Sequence, residues 1–122
     1  KGHGVYPHIT YGRVVPTAQV GAAVRSDLIK QGLNAQEIKD FLDFWLPHMP
    51  KTPYVRLSWL NTEQMNQLAP LRISPRPDTL VRTFLDFSGQ ATADTALTPQ
   101  TLVSTPRDGF TVIEWGGLLL GQ

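Results

Sequence analysis

Two hydrophobic rhythms run along the chain. Between positions 34 and 46, Ala35, Ile38, Phe41, Leu42 and Trp45 recur every three or four residues, while Gln36, Lys39, Asp40 and Asp43 take the other side. That spacing predicts an amphipathic helix. Asn34 stands at its N-cap with Glu37 three places on, which approximates a capping box. Pro47 stops it, since proline donates no N–H and disfavours helix in the residue before it. Val20, Ala23, Val24, Leu28 and Ile29 predict a preceding helix, entered at Pro16-Thr17 with Thr17 as candidate cap. Gly21 weakens that helix by about 1 kcal/mol relative to Ala, and Gly32 suits its C′ position. Helices this short are marginal alone and need a core. Burying Ile38, Phe41 and Leu42 contributes roughly 1.5–3 kcal/mol each.

The second rhythm is alternation. Tyr54–Leu60 places Val55, Leu57 and Trp59 on one face and Tyr54, Arg56 and Ser58 on the other. Thr79–Phe87 sets Val81, Thr83, Leu85 and Phe87 against Leu80, Arg82, Phe84 and Asp86. Phe110–Trp115 reads as a third strong strand, ended by Gly116-Gly117. Val5–Val15 reads as one broken strand or two joined at Gly12. Leu71–Ser74 reads as a short strand, and EQMNQLAP as a turn or two of helix capped by Asn61 or Thr62. Residues 88–109 carry no aromatic side chain and read as an irregular crossover or a linker. The expected fold is α+β: a two-helix hairpin packed on a mostly antiparallel sheet or β-sandwich, in a single domain over 1–122.

Composition narrows the function classes. A net charge of +1, with basic residues dispersed among carboxylates, leaves no electrostatic footprint for nucleic acid. No apolar run approaches a membrane span. The absence of cysteine removes thiolate chemistry, disulfides and cysteine-ligated metals. The chain opens without Met and runs almost at once into strand-like sequence, which reads as part of a longer polypeptide.

The phrases YPHITYG, QGLNAQEIKDFLDFWLP, PYVRLSWL, APLRISPRPDTLVRTFLDF and RDGFTVIEWGG occur in that order. Together they resemble a family of largely uncharacterised domains from predicted exported or surface-attached bacterial proteins. The resemblance covers most of the chain. It implies a secreted or cell-surface location and further β-rich sequence upstream, and it supplies no catalytic residue.

Candidate chemistry is sparse. Of three histidines, His3 and His8 lack helical pairing, and a zinc site needs a further ligand such as His48, Asp43 or Glu37. We expect no metal and no cofactor. No serine has a nucleophile-elbow context, and Gly116-Gly117 makes no phosphate loop. Glu114, between Ile113 and Trp115, is the one carboxylate in an apolar strand. It suits pairing with Arg56 or Arg82, or acid–base work if its pKa is raised. The leading expectation is a non-enzymatic structural or recognition module with Tyr11, Tyr54 and Trp59 as exposed contacts. The alternative is a hydrolase or hydrolase-accessory domain using Glu114 with Asp86 or His8. The expected partner is the missing upstream segment or a second copy, met along Val5–Val15 through Tyr6, Ile9 and Tyr11.

Overall fold

The computed structural model describes residues 5–93 and 96–120. Its elements run β1 (Arg13–Pro16), α1 (Val20–Lys30), α2 (Ala35–Trp45), β2 (Tyr54–Leu60), α3 (Thr62–Leu68), β3 (Thr79–Gln90) and β4 (Thr111–Leu120), with single 3-10 turns at Thr17–Gln19 and Leu46–His48. The four strands form one sheet in the order β1-β2-β3-β4. β1/β2 and β2/β3 are antiparallel and β3/β4 is parallel. The fold is α+β, with a mostly antiparallel sheet.

The helix pair forms as the spacing dictates. Asn34 Oδ1 accepts from the Glu37 N–H at 2.9 Å and Glu37 Oε1 accepts from the Asn34 N–H at 2.8 Å, completing the capping box. Gly32 closes α1 with φ +88°, a conformation that favours glycine. Arg107 pairs with Glu37 and donates to the Gly32 carbonyl, tying the crossover to this corner. The Arg107 hydrogen bond is the main reason the Glu37 carboxyl titrates below its usual range. α3 repeats the capping device with Asn61 and Gln64.

Odd-numbered strand residues face the helices. Val55, Leu57 and Trp59 of β2 and Leu85 and Phe87 of β3 bury against Val24, Leu28, Ile38 and Phe41, and Ile113, Trp115 and Leu119 of β4 pack against this core. Phe41 is its centre. Its ring lies 5.2 Å from Trp115, 5.8 Å from Trp59 and 6.4 Å from Trp45, centroid to centroid. Tilted and edge-on aromatic pairs of this kind add about 0.5–1.5 kcal/mol beyond area burial.

Several strand expectations need correction. Gly116-Gly117 does not end β4, which continues to Leu120. The glycines serve packing instead. A Cβ at Gly117 would lie 2.9 Å from the Trp45 indole and 3.1 Å from the Leu85 carbonyl. Gly117→Ala should therefore cost about 1–3 kcal/mol through overpacking, read as a lowered midpoint in urea, whereas alanine at an open strand site would be near neutral. β4 pairs parallel with β3, the one parallel pair in the mostly antiparallel sheet of the described residues. Leu71–Ser74 is not a strand. Val5–Val15 contributes only Arg13–Val15, the start of β1, and a single parallel bridge from Tyr11 to Thr98. Gly12, at φ +127°, breaks the run and brings the backbone against the Leu57 carbonyl. Thr17 does not cap α1; its hydroxyl donates to the Thr52 carbonyl at 2.5 Å.

Candidate functional site

The face of the sheet opposite α1 and α2 is polar at its centre. Arg56 is enclosed there, donating to Asp86 Oδ1 at 2.6 Å, to the Ser58 hydroxyl at 2.7 Å and to the Ser88 hydroxyl at 3.1 Å. Asp86 is fully buried. Its second oxygen accepts from the Tyr6 hydroxyl, which the N-terminal segment lays over the pair. Burial first, and the Asp86 hydrogen bond second, hold the Tyr6 phenol well above its ordinary pKa, so it remains a donor across the neutral range. Ser58 donates onward to the Tyr11 carbonyl at 2.6 Å. Each member is satisfied, which makes this network a structural tie.

A second pair lies beside it. Arg82 Nε donates to Glu114 Oε1 at 2.5 Å, and its Nη1 donates to Asn66 Oδ1 at 3.1 Å and to the Ala69 carbonyl at 2.6 Å. Glu114 thus takes the arginine partner that its sequence context suggested. In the strand register Arg82 faces Glu114 and Asp86 faces Leu118, four residues further along. At a rise of about 3.3 Å per residue, the two carboxylates stand roughly 13 Å apart along the sheet, each held by its own arginine. His8 is exposed and has no hydrogen-bond partner among the described residues. Glu114 and Asp86 are thus held apart, on separate arginines.

The aromatic candidates also separate. Trp59 corrects the expectation of an exposed contact: it is 2 % exposed, faces the helices, and its indole N–H donates to Asp27 at 2.8 Å. Tyr54 is on the opposite face of β2, half-buried. Tyr11 is half-buried, with its hydroxyl accepting from Gln64 at 3.2 Å. Asp27, which sequence reasoning passed over, is fully buried and also receives both its oxygens' bonds from Arg13 at 2.9 Å. The available signal was an acid inside the apolar register Val20, Val24, Leu28. His3 lies outside the described residues. His48 Nδ1 donates to the Phe44 carbonyl at 2.8 Å, and its ring stacks on that of Phe44. Among the described residues no three metal-ligating side chains of His, Asp or Glu gather, and no helix is long and apolar enough to cross a membrane.

Two features remain open to a partner. The first is the outer edge of β4. Its ten residues pair only with β3 among the described residues. Natural sheet edges are commonly guarded by Lys, Pro, a bulge or shortness. β4 has no Lys, Arg or Pro, and its one charge, Glu114, is paired with Arg82. Apolar side chains flank it on both faces: Leu118, 37 % exposed, on the polar face, and Phe44, 52 % exposed and 6.1 Å from Trp115, on the helix side. The second is a cleft of about 870 Å³ beneath the loop from Pro70 to Asp78. Arg82 holds the loop's first end through Ala69. Asp78 holds its last, accepting from the Phe110 N–H at 2.8 Å.

No protein-family model, no curated protein and no solved structure matches this chain.

Proposed function

We propose that the chain is a non-enzymatic recognition module of an exported or surface-attached bacterial protein, and that it assembles by pairing β4 with β4 of a second copy. The observation that carries this reading is the long, unguarded β4 edge. The exported setting rests on the resemblance of the sequence phrases. The separation of Glu114 from Asp86, each held by its own arginine, favours binding over a hydrolase that uses the two together, since a catalytic site needs its groups within reach of one reacting atom.

A second copy suits this edge because the strand is self-complementary. Opposed residues in an antiparallel pair share a face, so a two-fold axis through the sheet centres on a residue. An axis at Gly116 sets Ile113 opposite Leu119 and Glu114 opposite Leu118. No like charges meet, and the smallest side chains sit at the crossing point. The Val5–Val15 segment suits this role less well, since its regular strand is only four residues long.

Light scattering across a concentration series tests the reading. The expected species has twice the 13.6 kDa chain mass and dissociates on dilution. A chain that stays monomeric at high concentration but gains mass with a different polypeptide would assign the edge to a foreign strand and overturn the self-pairing.

A further inference from the structure

The loop cleft has a chemistry of its own, independent of the β4 edge. Arg72 and Arg76 line it, are exposed, and have no ion-pair partner among the described residues. Asp78 shares the lining, and its Oδ2 accepts from the Phe110 N–H. The rest of the lining is mixed: Leu71, Ile73 and Leu80 are apolar, and Asn66 and Ser74 are polar. Pro70, Pro75 and Pro77 restrict the loop backbone, and the fixed ends described above hold it in place. A stiff site loses less freedom on binding.

From these observations we infer that the cleft binds an extended acidic peptide, with two carboxylates on Arg72 and Arg76 and apolar side chains on Leu71, Ile73 and Leu80. Arginine presents a planar fork that matches a carboxylate with two hydrogen bonds. The volume is within the range of ligand sites. Two cations with one carboxylate in the same wall do not match the dense phosphate array of a nucleic acid. Leu71, Ile73 and Leu80 reward apolar side chains that a free inorganic anion lacks.

The test uses a fluorescein-labelled peptide of alternating Glu and Leu, read by anisotropy, with a Lys-for-Glu peptide and inorganic phosphate as comparisons. The wild-type chain should bind the acidic peptide, with amide NMR shifts centred on residues 70–80. The Arg72→Ser/Arg76→Ser chain should bind at least tenfold more weakly while melting as wild type does. Arg25→Ser, which removes an exposed cation on α1, should leave binding unchanged, and so should the edge variant Leu118→Glu. Equal binding by the double variant, equal binding of the Lys peptide, displacement by millimolar phosphate, or no binding by the wild-type chain would each overturn the assignment.

Discussion

Phe41→Ala should lower the free energy of unfolding by about 3–5 kcal/mol, the range for removing a large aromatic side chain from a packed core. The ring is fully buried and touches all three tryptophans of the chain, one each from α2, β2 and β4. Its loss therefore leaves a cavity bounded by rigid indoles that cannot collapse easily. Urea denaturation followed by tryptophan fluorescence measures it. Trp45→Ala should cost less, because Trp45 is only partly covered, although its sequence position on the helix's apolar stripe suggested an equal role. A Phe41→Ala midpoint within error of wild type would place the core elsewhere.

Asp86→Ala should be comparably damaging, at about 3–5 kcal/mol, for an electrostatic reason. It strands the enclosed Arg56 guanidinium without its counter-charge and leaves the Tyr6 hydroxyl without an acceptor. Breaking a buried pair by removing one partner costs that much, whereas replacing both partners with apolar residues of similar volume is often near neutral. Arg56→Met/Asp86→Leu should accordingly recover most of the loss. Tyr6→Phe should cost only about 1 kcal/mol, the net worth of an ordinary hydrogen bond. A double-mutant cycle on Arg56 and Asp86 checks this. A coupling energy near zero would mean that the charges are solvated in the folded chain.

What was legible in the sequence was local. The capping box at Asn34, a cap at Asn61 or Thr62, the Gly32 stop and the alternation of β2 and β3 follow from residues within a few positions of one another. What was not legible depends on distant neighbours. Gly116-Gly117 looks like a strand end until Trp45 is seen lying on Gly117. Asp27 looks like a solvated acid until Arg13 and Trp59 are brought to it. Trp59 carries the same alternation whether its face meets helices or water, and only the helix packing decides between them. The parallel partner of β4 is set by the crossover, whose anchors, Gln100 on the Trp59 backbone and Arg107 on Glu37, reach across 41 and 70 positions. Leu71–Ser74 read as a short strand, but Pro70 before it and Pro75 and Pro77 after it leave no room for a ladder to extend.

The self-pairing of β4 is most directly tested by a charge swap at Leu118, a partly exposed position whose substitution spares the core. In the register centred on Gly116, residue 118 faces Glu114 of the second copy. Leu118→Glu sets like charges opposite each other and should give a monomer; Leu118→Lys sets opposite charges there and should keep or tighten the dimer. Size-exclusion chromatography with light scattering on the wild type and both variants reads the outcome. The expected outcome is dimer, monomer and dimer, respectively; a monomeric wild type, or a dimer indifferent to the sign of the charge, would contradict self-pairing through β4.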